Sequence, residues 1–291
     1  MQAAGKSSAA PVGIFDSGLG GLTVVRAVIG KMPSESIVYL GDTARVPYGT
    51  RSAATVCRYA EGCARVLSAY RIKALVVACN TVSAVALEPL QRTLDVPVIG
   101  VVEPGAAAAV QAARRAQASG HPSKIGVLGT EGTIRSRAYE RAVLRLAPDL
   151  EVVTQPAPLL VPLVEEGWLD GEVPRLAVRR YVEPLIRAGA GVLVLGCTHY
   201  PLLEPVIRAV AGELSGGPVS IVDGAEASAS ALGALLDEHE LVAAPGSPPR
   251  LDLLATDLPA SFRASACRFL GAEAPDVVQI DIADPTSHRP S

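Results

Sequence analysis

The sequence predicts an α/β protein made of two similar, doubly wound halves, each carrying a mostly parallel sheet. Three observations lead there. Short Val/Ile/Leu runs recur along the 291 residues. Longer Ala/Leu/Arg stretches with helical periodicity separate them. Two motifs also come back at nearly one offset, as a duplicated unit would produce.

The runs fall at 12–15, 37–40, 74–78, 98–102, 125–128, 151–153, 192–195 and 219–222. They are apolar almost without interruption, the pattern of parallel strands covered on both faces. Between the second and third runs, residues 52–70 place Val56, Ala60, Cys63 and Leu67 at helical spacing. That predicts a surface helix with its apolar stripe turned inward. "VGIFDSGLGGLTV" from Val12 resembles "IGVLGTEGTIRS" from Ile125, an offset of 113; "ALVVACNTVSA" and "GVLVLGCTHYPL" align their cysteines at an offset of 118. After residue 219, "LDLLATDL" and "DVVQIDI" add strand-like material that must return to one half. The expected division assigns 1–103 plus 213–291 to the first half and 104–212 to the second.

Composition narrows the function. Hydrophobic residues make up 49% of the chain, aromatics only 4%, and the net charge is −3. No global basic field exists to hold nucleic acid or an anionic membrane. No apolar stretch is long enough to cross a bilayer. The opening "MQAAGKSSAA" reads as a loose tail without a leader's apolar centre, so the cytoplasm is the expected location. Five cysteines, an odd number widely spread with no C-x-x-C, argue against a disulfide framework and a structural metal.

The polar residues of interest share one address. Asp16-Ser17, Asp42, Cys79-Asn80-Thr81, Glu103, Thr130, Cys197-Thr198-His199 and Asp223 each follow an apolar run. In open α/β sheets that is the carboxyl edge of the strands, where ligands bind. Helix N-termini there offer free N–H groups to anions. Gly18-Leu19-Gly20-Gly21 is not a G-x-G-x-x-G fingerprint, and no G-x-x-x-x-G-K-[ST] occurs, so nicotinamide and ATP lose support.

Cys57, Cys63 and Cys267 lie in helical stretches and read as packing. Cys79 alone would read the same way, but its duplicate at Cys197 asks for chemistry. Asp16 and Asp42 are equally suited to capping helices, and Glu165 to a solvated helix face. Cys197 paired with His199 would serve acyl transfer. Two thiols on opposite walls would instead let a carbon between them lose a proton to one and gain it from the other, which inverts a stereocentre.

"GIFDSGLGGLTV", "YLGDTARVPYG", "ACNTVSA", "GVVEPGA", "IGVLGTEGTI" and "GCTHYPLL", in this order from Gly13 to beyond Asp223, resemble the glutamate racemase family of the cofactor-independent aspartate/glutamate racemase superfamily. The resemblance implies two α/β domains, related by a pseudo-two-fold axis, facing each other across the active site. It implies interconversion of L- and D-glutamate without cofactor or metal, D-glutamate supplying peptidoglycan synthesis. Cys79 is implied as the base toward D-glutamate, assisted by Asp16, and Cys197 as the base toward L-glutamate, assisted by His199 and, in "PLVE", Glu165. Implied substrate contacts are Asp16, Ser17, Tyr48, Gly49, Asn80, Thr81, Thr130, Thr133, Thr198 and His199. A homodimer is the expected assembly, with no nucleic-acid or membrane partner. An aspartate racemase, a Cys-His hydrolase using Cys197 alone, and an amino-acid binding module are the alternatives.

Overall fold

The computed structural model describes residues 7–258 and 262–282. Residues 1–6, part of the stretch read as a loose tail, lie outside the described residues. The chain begins with β1 (Val12–Asp16), α1 (Leu22–Lys31), β2 (Ile37–Gly41), α2 (Ala53–Ala69), β3 (Ala74–Val77), α3 (Asn80–Thr93), β4 (Val98–Gly100) and α4 (Val102–Ala118). It continues through β5 (Lys124–Gly129), α5 (Glu131–Ser136), α6 (Ala138–Leu146), β6 (Val152–Pro156), α7 (Leu160–Glu165), α8 (Glu172–Arg187) and β7 (Ala190–Gly196). Then come α9 (Glu204–Ser215), β8 (Ser220–Asp223), α10 (Gly224–Glu238), β9 (Leu251–Ala255), α11 (Phe262–Leu270) and β10 (Val277–Gln279).

Two parallel sheets result. One has the order β10-β9-β2-β1-β3-β4, the other β6-β5-β7-β8. The stretch β2-β1-β3-β4 thus repeats as β6-β5-β7-β8, and the duplication expected from the motifs reappears as one strand order used twice. Every residue of β1, β2, β3 and β7 is buried, as continuous apolar runs require. The edge strands β6 and β8 are only partly covered. The expected amphipathic helix is α2: Ser52 caps it by accepting from Thr55 N–H at 3.3 Å, and Val56, Ala60, Cys63 and Leu67 point inward.

Two expectations need correction. The division at residue 213 is wrong for β8, which pairs with β7 in the second sheet; only β9 and β10 return, extending the first sheet beyond β2. The run at 98–102 is a strand only to Gly100, because the Ser83 hydroxyl accepts Val101 N–H at 3.1 Å and diverts the chain into α4. Glu103 consequently sits in the first turn of α4, where it pairs with Arg145 at the surface and not with the other strand-end residues.

One apolar core crosses between the halves. It joins Ile14 of β1, Val24 and Val28 of α1, Leu232 and Leu236 of α10, and Leu193 and Leu195 of β7. Each such Val or Leu contributes roughly 1.5–3 kcal/mol by leaving water, so the halves are fixed to each other by the same effect that folds them. Two further cores cover the remaining faces, with α2 and α3 over the first sheet and α4 and α6 over the second. All five cysteines are free. Cys63 is wholly inside, while Cys57 Sγ donates to Val85 O and Cys267 Sγ accepts Ala274 N–H, all consistent with packing. No helix among the described residues is long and apolar enough to cross a membrane.

Candidate active site

Each half presents its cysteine at the same place in the strand order. β3 and β7 both lie beside the first strand of their unit, and Cys79 and Cys197 follow their carboxyl ends. Cys79 is the N-cap of α3, with extended backbone, so its side chain stands at the rim and Asn80 and Thr81 form the first helical turn. Cys197, Thr198 and His199 lead into a short 3-10 turn, Tyr200–Leu203. Each cysteine is 6% exposed.

The turn after β1 brings the halves together. Asp16 Oδ2 accepts Gly18 N–H at 3.1 Å, folding the glycine-rich segment back over the strand end. Gly20 then lies against the opposite motif: a Cβ there would come within 2.5 Å of His199 Nδ1, and closer still to Thr198 Oγ1. Thr23 Oγ1 donates to Thr198 O at 3.2 Å from the same side. Only glycine fits this approach. The Ser17 hydroxyl lies 3.4 Å from Cys79 Sγ, and His199 Nδ1 lies 3.9 Å from Cys197 Sγ. Glu165, at the end of α7, places Oε1 3.2 Å from His199 Nε2.

A second cluster spans the same junction. Thr81 Oγ1 lies 2.9 Å from Thr130 Oγ1 and 3.4 Å from Thr133 Oγ1, and the latter two are 3.0 Å apart. Gly49 packs on Thr130, and Gly132 on Gly49 O and Thr81. Gly49, Thr81, Thr130 and Thr133, expected separately from the sequence, therefore form one group. Tyr48 departs from expectation in one respect: its hydroxyl donates to Asp42, which also takes Arg45 Nε and the Thr256 hydroxyl, so the phenol is committed to holding its loop.

Burial and close neighbours set the electrostatics of Cys79, His199 and Asp16. Burial pushes the Cys79 thiol up to about 12; the charges of Asp16 and Cys197 add to this, against hydrogen bonding from Ser17 and Val82 N–H. Because the charge of Cys197 is felt at Cys79, the two sulfurs lie within electrostatic reach of each other. Burial works against a charged His199, yet its hydrogen bonds to Cys197 and Glu165 and their charges raise it to about 10. Burial also raises Asp16 above the usual carboxylate range, partly offset by His199 and by the N–H groups of Gly21, Gly18 and Ser17. At neutral pH Cys79 is a thiol and His199 a cation 3.9 Å from the other sulfur.

Several residues at this junction escaped the sequence reading. Tyr139 donates to Asn80 Oδ1 at 2.8 Å, bridging α6 to α3. Tyr39, fully buried, donates to Gly18 O at 2.8 Å beneath the Asp16 turn. Phe269 sets its ring edge-on to His199, with centroids 5.0 Å apart. Asp223, by contrast, was among the strand-end residues of the sequence reading: it caps α10 by accepting Ala225 N–H, and with Asn80, Cys197 and Thr198 it lines a cavity of about 10 Å³, the least space one water fills. Among the described residues no group of three or more His, Cys, Asp and Glu side chains is arranged to hold a metal ion.

Comparison with known proteins agrees with this geometry. The family model for Asp/Glu/Hydantoin racemase matches residues 23–232. A glutamate racemase of Geobacter metallireducens is 50% identical over 271 residues, covering 93% of this chain and 96% of that protein. The crystal structure of glutamate racemase from Francisella tularensis in complex with D-glutamate superposes with a TM-score of 0.85 at 32% identity, covering 97% of this chain and 100% of the other. That from Thermus thermophilus, in complex with β-chloro-D-alanine, gives a TM-score of 0.83 at 41% identity, covering 96% and 100%.

Proposed function

The chain belongs to the Asp/Glu/Hydantoin racemase family, and on that premise we propose that it interconverts L- and D-glutamate by proton transfer between two thiols. The observation that carries the proposal is the pair of matched strand-end cysteines, buried within electrostatic reach of each other, with a raised thiol at Cys79 and the His199 cation beside Cys197. Cys79, held as a thiol, is the proton donor toward one face of Cα. Cys197, beside the His199 cation, acts as thiolate and takes the α-proton of L-glutamate. After transfer Cys79 is the thiolate and Cys197 the thiol, and the reverse reaction begins from there. Because each proton lost from carbon is matched by one returned, no net acid or base is consumed.

The α-proton of an amino acid is weakly acidic, so the site must stabilise carbanion-like charge. N–H groups at the starts of α3 and α5 and the hydroxyls of Ser17, Thr81, Thr130, Thr133 and Thr198 are the candidate donors to the two carboxylates. Among the described residues Asp16 Oδ1 is buried without a hydrogen-bond partner, which suits it to accept from a substrate ammonium. Relatives named glutamate racemase support glutamate over aspartate. Supply of D-glutamate for peptidoglycan, a cytoplasmic location and a homodimer belong to the same proposal; D-glutamate auxotrophy on deletion, cell fractionation and sedimentation test them in turn.

The decisive experiment incubates the protein with L- or D-glutamate in deuterated water without added cofactor, following optical rotation and deuterium at Cα. Inversion with solvent deuterium entering at Cα is expected, and Cys79→Ala or Cys197→Ala should abolish it. Near-normal turnover by Cys79→Ala would replace the proposal with a single-cysteine enzyme, and glutamate binding without exchange would leave a binding module.

A further inference from the structure

Glu165 has a difficult task for its position. It is the last residue of α7, a helix of six residues, and its side chain is 54% exposed, yet it keeps its 3.2 Å contact with His199. Ordering an exposed helix end costs backbone entropy that its few contacts must offset. What steadies this end comes from the other half of the molecule. α11 lies between β9 and β10 of the first sheet, and Arg268 on it donates from Nη1 to Val164 O at 3.1 Å and to Glu165 O at 2.8 Å. These are last-turn carbonyls, where a cation is favoured; Val164 O also accepts Gly167 N–H at 3.0 Å, so the guanidinium and the turn after α7 close on the same atom.

Two neighbours reinforce the contact. Gly167 has φ +77, and a Cβ on it would meet Arg268 Nη2 at 2.8 Å and Cζ at 3.0 Å, so the turn after α7 is shaped to let the guanidinium in. Phe269, next in sequence, lays its ring edge-on to His199. Consecutive residues of α11 therefore meet both members of the His199–Glu165 pair, Arg268 reaching Glu165 across 103 residues of chain and Phe269 reaching His199 from the same helix.

We propose that Arg268 is a positioning residue: it pins the end of α7 from the opposite half, keeping Glu165 on His199, so that proton transfer at Cys197 depends on it and transfer at Cys79 does not. The inference rests on the two-thiol racemase reading.

The test uses Arg268→Ala, Arg268→Lys, Glu165→Gln and the double variant R268A/E165Q in the full chain. It measures kcat/KM with L- and D-glutamate, protiated and deuterated at Cα, and the thermal midpoint of each variant. Arg268→Ala should lose about tenfold in kcat/KM, the scale of one hydrogen bond between charged and neutral groups. The primary isotope effect should rise for deuterated L-glutamate and fall toward unity for the D-enantiomer, because the Cys197 step becomes the higher barrier. Arg268→Lys should restore part of the rate. In the Glu165→Gln background the same change should cost less than about twofold, since the two act through one contact. Equal or inverted changes in the two isotope effects, full additivity with Glu165→Gln, or wild-type rates for a folded Arg268→Ala would each overturn the proposal. Should Arg268→Ala melt below the assay temperature, Gly167→Ala, which displaces the guanidinium from its other side, is judged by the same isotope asymmetry. A wild-type protein that does not invert glutamate sinks the racemase reading itself; a wild type that does, with symmetric variants, sinks only this one.

Discussion

Gly20→Ala is the sharpest single probe of the junction between the halves. The added methyl would lie 2.5 Å from His199 Nδ1 and 2.7 Å from its Cε1, where ordinary contact begins near 3.4 Å. The imidazole must therefore yield by about 0.9 Å, and the Thr198 hydroxyl, which is closer still, by more. His199 has little freedom to do so: Nδ1 faces Cys197 Sγ, Nε2 faces Glu165, and Phe269 blocks the ring's flank. Overpacking of this kind costs roughly 1–3 kcal/mol of stability, and a 1 Å misplacement of a reacting group costs about a hundredfold in rate. Thermal unfolding should show a midpoint lowered by a few degrees, and an assay for D-glutamate formation should show kcat/KM reduced about a hundredfold. A Gly20→Ala protein with unaltered rates would refute the close approach of the two motifs on which the site is built.

Other outcomes follow from particular contacts. His199 is raised from its ordinary value near 6.5 to about 10, so its contribution to stability is complete below pH 6.5 and is lost as pH rises through about 10. The raised Cys79 thiol adds a loss in the same direction, but only above its ordinary value of 9.0; urea titrations at pH 6 to 9 should therefore show a decline that His199→Gln flattens. Lys73 and Glu35 form a buried pair at 2.5 Å, with Lys73 also donating to Ser8 O and Glu35 accepting Ala243 N–H. Lys73→Ala strands the carboxylate and should cost about 3–5 kcal/mol by denaturant unfolding, without a specific effect on isotope exchange. Tyr139→Phe removes the donor to buried Asn80 Oδ1 and should cost about 1–3 kcal/mol, with a fall in kcat/KM as the first turn of α3 loosens.

The parts legible in the sequence were those written in local pattern. Buried parallel strands announce themselves as unbroken apolar runs, and Cys79 and Cys197 stood out because polar residues follow them immediately. Which sheet β8 joins was not legible, since a four-residue strand with only Ile221 and Val222 apolar looks the same beside β7 as in the returning arm. Tyr139 and Arg268 were hidden for a different reason: each sits in an ordinary amphipathic helix, and its partner is distant in sequence and reached only by folding. The raised thiol of Cys79 and the cationic state of His199 also depend on burial and on neighbours from separate elements, which no motif encodes.

The strand order used twice gives the two walls like sulfur atoms but unlike companions, a lone carboxylate beside one and an imidazole with its own carboxylate beside the other. On the proposed chemistry, mirror-image substrates therefore meet surroundings that are not mirror images. Enantiomers are nonetheless equal in free energy in achiral water, so the Haldane relation forces one specificity constant on both directions. With unlabelled substrates the lopsidedness of the walls can then show itself in the steady-state constants only as kcat and KM shifting together, a faster turnover in one direction always accompanied by a proportionally weaker apparent hold on that enantiomer.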